Sequence, residues 1–378
     1  MIAAFLLDEN STDHSLQALS YRYCGAPDWK SEWKPYEETL KDLSYLPTAY
    51  VGPLETYNKQ DVYWTKQLKD CLQQKITSSG LSTLLRMEME NLKTLARMTQ
   101  WGIKVDLELL SEWERKYQDR AKQLESGFDF NPGSWQQVLA ALRTAGHRVQ
   151  STGDEVLSEL RGELPEQLRE FRRCNKILGT YLLGLREKIY PDGRIHPGFH
   201  QNRTVSGRLS SSHPNAQNFP RDTEELAYRS LFQGTWDRLL RLDFSQLELR
   251  IAAWLSQDPL MMRVYTSGGD LHDETGRIIW RKDPKDITDN ERVVSKQTNF
   301  TALYDPFDSA IGSVRFKCKQ AGVDLDWKTA SKIVTTFRGT YTGWFDYMLR
   351  SVREVYDKGW VRSPFGRIRR SPGPIQSF

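Results

Sequence analysis

The sequence has 378 residues, of which 38% are hydrophobic and 27% are charged, and its formal net charge is +4. This balance is typical of a globular protein of two or three domains and excludes a fibre or a disordered chain. No apolar run reaches the ~18–20 residues that cross a bilayer, and the opening stretch Met1–Leu7 lacks a basic flank, so neither a membrane span nor a signal peptide is expected. The four cysteines form no Cys-x-x-Cys pair, which argues against a disulfide framework or a zinc site and favours a reducing cytoplasm.

The first half of the chain alternates helical patterns with turn signals. Residues 1–80 mix short apolar runs with helix-like stretches, interrupted by the turn Gly25–Pro27 and by Pro53. From Leu81 to about Gly127, apolar and charged residues recur at three- and four-residue spacing, which predicts a long helical zone. The turn residues of Asn131–Gly133 end that pattern.

The middle of the chain changes from helical to polar and irregular. A second helical zone, Ser134–Leu185, ends before the turn signal Tyr190–Gly193. Residues Arg203–Phe219 are rich in Ser, Thr, Asn and Gly, which predicts irregular chain held by polar contacts. Leu239–Phe244 then predicts a short buried strand, and Ser245–Leu255 predicts the helix that follows it.

The last third of the chain is predicted to be largely helical. Glu291–Tyr304 has the pattern of one helix, which Asp305 and Pro306 end. Lys328–Asp357 has a second helical pattern with many aromatic residues. The segment Gly359–Arg370 is rich in arginine, which fits a nucleic-acid backbone, although a solvated basic loop has the same composition.

One acidic residue stands at the end of the predicted strand. A carboxylate at this position is held rigidly, so Asp243 is a candidate ligand for a divalent cation such as Mg²⁺, which prefers oxygen ligands. Aspartate is also a good helix N-cap, and the residue alone does not distinguish a metal ligand from a cap.

Four side chains recur every four residues along the predicted helix: Arg292, Lys296, Phe300 and Tyr304. Each step of four advances a helix by about 400°, so the four side chains share one face. Two cations followed by two aromatic rings suit a nucleoside triphosphate, with the cations on the phosphates and the rings against sugar and base. A solvated charge pair that leads into core aromatics would give the same spacing.

The polar segments Thr204–Ser211 and Pro214–Asn218 can contact phosphates and minor-groove acceptors without reading sequence. An ordinary polar surface loop has the same composition. Composition therefore leaves both interpretations open.

Taken in order, four strings resemble the motifs of family-A DNA polymerases, the bacterial DNA polymerase I type. Asp243–Arg250 (Asp-Phe-Ser-Gln-Leu-Glu-Leu-Arg) is similar to the first catalytic motif of that family. The order Arg-x₃-Lys-x₃-Phe-x₃-Tyr, with Asn299 before the Phe, resembles its fingers helix. Thr204–Asn218 resembles its Thr-Gly-Arg-Leu-Ser-Ser…Pro-Asn-Leu-Gln-Asn segment, and Gly359–Arg370 its Gly-Tyr-Val…Phe-Gly-Arg-Arg-Arg stretch.

The resemblance implies a role for each matched residue of the nucleotide site. Asp243 would bind both catalytic Mg²⁺ ions, and Glu248 would lie beneath the incoming sugar and exclude a ribose 2′-hydroxyl. Lys296 would bind phosphate and protonate the leaving group. The other implied nucleotide-binding residues are Gln246, Arg292, Phe300 and Tyr304. The family usually has glycine where this sequence has Thr301 and Asp305, which adds bulk and charge beside the nucleotide.

The resemblance also implies DNA contacts and an exonuclease remnant. The implied DNA-binding residues are Arg208, Asn215, Asn218, Arg229 and Arg367. Tyr57 and Asp61 match the final Tyr-x₃-Asp motif of a 3′–5′ exonuclease domain, in which Asp binds metal and Tyr orients water. A surface pair on a helix would have the same spacing, and the two earlier acidic motifs of that domain are absent, so editing is not expected.

The implied fold class is α+β, a right-hand polymerase fold preceded by the end of a ribonuclease-H-like exonuclease domain. Residues 1–80 would be the exonuclease remnant and 81–190 the helical thumb. Residues 191–260 would form the first part of the palm, and 261–378 the fingers and the start of the return to the palm.

The implied function is template-directed DNA synthesis by two-metal phosphoryl transfer, with primer–template DNA and deoxynucleoside triphosphates as partners. Two-metal chemistry needs a second carboxylate, which the family supplies from a His-Asp-Glu motif beyond Phe378. His272–Glu274 has these letters, but we reject it because the family usually has Gly-Asp-Ile-His at residues 269–272.

The resemblance leaves alternative functions to consider. The chain could be a DNA-binding module without chemistry, or half of a split polymerase completed by a second polypeptide. An RNA polymerase of the same superfamily is disfavoured by Glu248 and Phe300. The expected location is the cytoplasm of a bacterial or phage-infected cell.

Overall fold

The computed structural model of the chain describes residues 1–39, 50–220, 222–223, 226–236, 238–305 and 309–371. The chain packs as two compact units, Met1–Leu240 and Arg241–Phe378. Helices dominate both units and the few strands are short and antiparallel, which agrees with the predicted α+β class. Within the described ranges, no helix is both long and apolar enough to span a membrane.

The first unit begins with a run of helices. They are α1 (Ile2–Leu7), α2 (Leu16–Cys24), α3 (Lys30–Thr39), α4 (Val51–Ser78), α5 (Ser82–Trp101) and α6 (Leu107–Ser126). Ser15 and Asp106 cap α2 and α6, because their side chains accept hydrogen bonds from backbone N–H groups of the first turn. Pro53 does not interrupt the chain as predicted. It lies in the first turn of α4, where a helix needs no N–H donor.

The helical zone predicted from Leu81 to Gly127 is confirmed over most of its length, but the chain breaks at Gly102. This residue has φ +66°, and a Cβ atom on it would lie 2.6 Å from the carbonyl oxygen of Ile195. Glycine alone allows both the left-handed conformation and this close approach. Strand β1 (Ile103–Val105) therefore separates α5 from α6. The apolar spacing is helical on both sides, so periodicity does not reveal the break.

β1 is the central strand of a three-stranded antiparallel sheet in the order β2-β1-β5. The other strands of this unit are β2 (Arg194–Ile195), β3 (Gly198–His200), β4 (Ser210–Ser212) and β5 (Phe232–Gln233). Ile103 lies opposite Ile195, and β3 pairs separately with β4. The predicted turn Tyr190–Gly193 is confirmed by a 2.9 Å hydrogen bond from the Gly193 N–H to the Tyr190 carbonyl.

The second helical zone is divided into short helices. They are α7 (Trp135–Thr144), α8 (Asp154–Glu159), α9 (Glu163–Lys176), the π-helix Ile177–Leu183 and α10 (Gly184–Arg186). Of these, α7, α8 and part of α9 form one apolar core, and the rest share a second core with the sheet. Leu182 of the π-helix packs against apolar residues of α6, β1 and β2.

Replacing Leu182 with alanine is expected to lower the free energy of unfolding by about 2–5 kcal/mol, because it opens a cavity in a fully buried site. Leu182 is 0% exposed, whereas Leu183 beside it is 43% exposed. Leu183→Ala is the matched control and should cost less than about 1 kcal/mol. Urea unfolding followed by circular dichroism measures both. An equal loss in the two variants would contradict this description of the core.

The buried strand predicted for Leu239–Phe244 is wrong. These residues form neither a helix nor a strand, and Leu242 and Phe244 are 83% and 77% exposed. A strand is stable only when its backbone groups and one of its faces find partners. No strand in the described part of the chain pairs with this run.

The second unit consists of helices and one hairpin. They are α11 (Leu247–Ser256), α12 (Pro259–Thr266), α13 (Leu271–Trp280), α14 (Asp289–Tyr304), α15 (Ser309–Gln320), α16 (Trp327–Thr340), α17 (Thr342–Lys358), β6 (Trp360–Arg362) and β7 (Ile368–Arg370). α11 and α14 confirm two predicted helices, apart from their ends. The predicted stretch Lys328–Asp357 is two helices that meet at Tyr341. Residues of α11–α14, α16 and α17 share one apolar core.

Candidate functional site

The second unit contains a cavity of about 630 Å³ whose walls come from three segments of the chain. One wall is the segment Asp243–Glu248, and a second is Asp270 with His272. The third is the face of α14 that carries Arg292, Lys296 and Phe300. The cavity therefore brings together six of the residues predicted for a nucleotide site. Tyr304 does not line it.

Asp243 stands on the cavity wall as an exposed carboxylate ahead of α11. The N-cap of α11 is Gln246, which has φ 52° and forms no side-chain capping bond. Asp243 therefore does not cap this helix, and the capping alternative is wrong. Asp243 and Glu248 both line the cavity.

A small network holds the turn between Asp243 and α11. Arg250 Nε donates a 2.9 Å hydrogen bond to the Ser245 carbonyl, and its guanidinium lies 4.5 Å from the ring centroid of Tyr265. The Tyr265 hydroxyl donates in turn to Gln246 Oε1 at 2.9 Å. Because each link fixes the next, the backbone after Asp243 is tied to α11 and α12.

The α14 wall begins with a capping box. Thr288 accepts from the Glu291 N–H, and the Glu291 side chain accepts from the Thr288 N–H. This fixes the first turn of the helix and so the position of Arg292, which is 51% exposed and forms ion pairs with Asp273 and, at 3.8 Å, with Asp270. Lys296 is exposed one turn further on.

The two aromatic residues of α14 are not core residues. Phe300 is half-buried, with its ring centroid 5.4 Å from that of His272. Tyr304 is 60% exposed, and its hydroxyl donates to Glu248 Oε2. The alternative interpretation, a charge pair leading into core aromatics, therefore does not describe this helix. Asp305, at the site of a family glycine, accepts hydrogen bonds from Ser309 and, at 3.0 Å, from Ser313.

His272 forms part of the cavity wall as a neutral ring. Burial lowers its pKa, and although Asp270 opposes this, the charges of Lys296 and Arg292 lower it further. Asn299 Nδ2 donates to His272 Nδ1 at 2.8 Å, which leaves the ring proton on Nε2. Sequence reasoning did not assign Asp270 or His272 to the site. The available signal was the string Gly269–His272, which a long-range contact brings to α14.

The carboxylates near α14 do not form a metal site of their own. Asp273 is paired with Arg292, and Glu274 is paired with Arg277 at 2.7 Å. The arginine lowers the pKa of Glu274. In the part of the chain that the structure describes, no three His, Cys, Asp or Glu side chains come together to hold a metal ion. Asp243 is thus the one predicted metal ligand that faces the cavity.

The first unit contains most of the predicted DNA-binding residues. Arg208, Asn215 and Asn218 are exposed on the polar loop around β4. Ser211 organises this loop, because its Oγ donates to the Pro214 carbonyl at 3.2 Å and accepts from the Ala216 N–H at 3.1 Å. The loop is therefore an ordered polar surface.

The remaining predicted contacts lie elsewhere. Arg229 is exposed on the turn Tyr228–Leu231 of the first unit, and Arg367 lies between β6 and β7 of the second. Tyr57 and Asp61 are one turn apart on α4, where Asp61 Oδ1 accepts a 2.8 Å hydrogen bond from Trp29 Nε1. The exonuclease assignment of this pair stays a prediction.

Solved structures include one of similar fold. The POL domain of Pol1 from M. smegmatis, solved in complex with DNA primer-template and dNTP, matches with a TM-score of 0.74 and 24% sequence identity. The match covers 98% of this chain and 63% of that one. At this identity the likeness establishes the fold, a polymerase domain.

Sequence comparison identifies the family. DNA polymerase I of Pseudomonas aeruginosa is 31% identical over 394 residues, and that of Synechocystis is 30% identical over 399 residues. These matches cover 97% and 98% of this chain, which spans 42% and 38% of the length of the two relatives. The model of DNA polymerase family A matches residues 104–376. The chain therefore belongs to DNA polymerase family A.

Proposed function

We propose that this chain adds deoxynucleoside monophosphates to a primer 3′-hydroxyl under the direction of a template. The observation that carries the proposal is the 630 Å³ cavity, in which one carboxylate segment and one cationic helix face line the same space. The similar M. smegmatis domain was solved with DNA primer-template and dNTP, which supports the same ligands here.

In this proposal, α14 binds the triphosphate. Arg292 and Lys296 are one turn apart on the cavity wall, so both can reach neighbouring phosphate groups. The 3′-hydroxyl attacks the α-phosphorus, the bond to the β-phosphate breaks, and pyrophosphate leaves with the negative charge. Lys296 offsets that charge and can give a proton to the leaving oxygen.

The other wall residues position the sugar and base. Phe300 would pack on the sugar, since its ring is half-exposed toward the cavity. Glu248 would lie beneath the sugar, where Tyr304 already holds its carboxylate by a hydrogen bond. A ribose 2′-hydroxyl would meet this pair, so a preference for deoxynucleotides is expected. Tyr304 itself would lie near the templating base.

The donor set fits Mg²⁺ in part. Mg²⁺ binds through one or two carboxylates together with substrate phosphates, and Asp243 supplies one exposed carboxylate on the cavity wall. When bound, the ions would activate the 3′-hydroxyl and neutralise charge on the phosphates. Asp243 would hold them, and Gln246 and Arg250 keep the backbone that carries Asp243 in place.

The polar loop of the first unit would contact the primer–template. Arg208→Ala is expected to weaken binding of primer–template duplexes whatever their base sequence. It should also reduce the slope of log Kd against log salt concentration by about 0.7–0.9. Fluorescence anisotropy of a labelled duplex at several salt concentrations measures this. Lys66→Ala on α4, outside the residues that the family model matches, is the control and should leave the slope unchanged. Equal slopes for Arg208→Ala and the unaltered chain would remove Arg208 from the interface.

A second candidate function is DNA binding without chemistry. The observation that favours it is that, among the described residues, no three His, Cys, Asp or Glu side chains come together at Asp243 to hold a metal ion. The second catalytic carboxylate would then come from another polypeptide. In either case the work would be DNA replication or repair, in the cytoplasm of a bacterial or phage-infected cell.

Primer extension by the purified chain, with Mg²⁺ and the four deoxynucleoside triphosphates, tests the proposal. Extension would support synthesis by this chain. Salt-sensitive binding of the primer–template without extension would favour the second candidate. Failure to bind primer–template at low salt would contradict both.

A further inference from the structure

Arg292, the first cation on the cavity face of α14, is already paired with carboxylates. Arg292 Nη1 contacts the carboxylate of Asp273, and its Nη2 lies 3.8 Å from Asp270 Oδ2. A guanidinium binds carboxylate and phosphate oxygens in the same forked geometry. A triphosphate that reaches Arg292 would therefore compete with these carboxylates for its guanidinium.

The two acids have different structural roles. Asp270 is the N-cap of α13, and its Oδ1 accepts from the N–H groups of His272 at 2.7 Å and Asp273 at 3.3 Å. Asp273 is in the first turn of α13, and among the described residues its carboxylate accepts a hydrogen bond from Arg292 alone. Asp270 thus stabilises the N-terminus of α13, whereas the carboxylate of Asp273 is the ion-pair partner of Arg292.

α13 and α14 are fixed relative to each other, so this pairing is built in. Asn299 of α14 donates to His272 Nδ1 at 2.8 Å and accepts from Thr275 Oγ1 at 2.8 Å, both on α13. All three side chains are buried. The carboxylate of Asp273 is consequently kept within reach of Arg292 by hydrogen bonds at Asn299, about two turns further along α14.

We propose that Asp273 is an internal counter-ion that occupies Arg292 until a nucleoside triphosphate displaces it. Asp273 is then a positioning residue that sets the affinity for the nucleotide. This inference rests on the proposed function, because it takes Arg292 as a phosphate ligand. Lys296 makes no ion pair among the described residues, so it could receive the phosphates before Arg292 is released.

Asp273→Asn removes the competing charge and keeps the side-chain shape. It should tighten binding of dATP with Mg²⁺ by about three- to tenfold, the range expected for a half-exposed ion pair together with the loss of repulsion from the phosphates. Asp273→Glu restores the charge and should restore the original affinity. In the Arg292→Ala background, Asp273→Asn should have little effect, because the partner is gone.

Isothermal titration calorimetry with dATP measures these affinities, and deoxyadenosine, which lacks phosphates, is the ligand control. Asp289→Asn is the matched protein control, since it removes the same charge from the first turn of α14. A tightening specific to Asp273→Asn and to dATP supports the inference. If the unaltered chain extends a primer, the KM for dATP should fall in Asp273→Asn while kcat stays unchanged.

The outcomes separate this inference from the proposed function. If Arg292→Ala weakens dATP binding but Asp273→Asn leaves it unchanged, the counter-ion role is overturned and the nucleotide site stands. Tightening that persists in the Arg292→Ala background also overturns the role. If the unaltered chain does not bind dATP, both the proposed function and this inference are overturned.

Discussion

Replacing Asp243 with alanine is expected to lower the rate of primer extension by about 10³-fold or more. A metal ion stabilises the charge of a phosphoryl-transfer transition state by several kcal/mol, and each 1.36 kcal/mol is tenfold in rate. Asp243 is the one predicted metal ligand on the cavity wall, so its loss should remove most of this stabilisation. Quench-flow incorporation of one nucleotide measures the rate.

Asp286→Ala is the matched control for this change. Asp286 is an exposed aspartate of the same unit that does not line the cavity, so its removal should leave the rate within twofold or so. Binding of the primer–template should be similar in both variants, because the predicted DNA contacts are elsewhere. Extension by Asp243→Ala at the original rate would show that Asp243 is not the metal ligand.

Lys296→Ala should cause the second large loss, a fall of about 10²–10³-fold in the rate of nucleotide incorporation. The expected size is that of one positioned proton donor or cation on the transferring phosphates. Single-nucleotide incorporation at saturating dATP separates the rate from the binding affinity.

Lys285→Ala is the control for Lys296. Lys285 is exposed on the turn Pro284–Asp286 that precedes α14, and it does not line the cavity. If Lys296→Ala raises the KM for dATP and leaves kcat unchanged, Lys296 would be a phosphate ligand and not a proton donor. Equal losses in the two variants would indicate a general effect of charge.

Local geometry explains what the sequence could predict. Arg292, Lys296 and Phe300 share a wall of the cavity because four-residue spacing and helical geometry are both properties of a single segment. The α11 helix after Asp243 could be predicted for the same reason, because its pattern also lies within a single segment. Membership of the family was equally accessible, because it depends on strings of residues in order.

Contacts between distant segments could not be predicted in this way. The break at Gly102 depends on the approach of Ile195, 93 residues away by number. The pairing of Asp273 with Arg292 depends on how α13 and α14 pack. The strand predicted for Leu239–Phe244 failed for the same reason, since apolar composition does not supply the neighbouring strand that a sheet requires.

The exposed run Leu239–Phe244 also determines how the catalytic variant should be made. Extended apolar chain is a template for aggregation, and charged residues within it oppose self-association. Arg241 and Asp243 are the charged residues of this run, so Asp243→Ala removes one of them. The variant that tests the chemistry is therefore also prone to precipitate, whereas Asp243→Glu keeps the charge and the solubility while moving the carboxylate away from the position proposed to hold Mg²⁺.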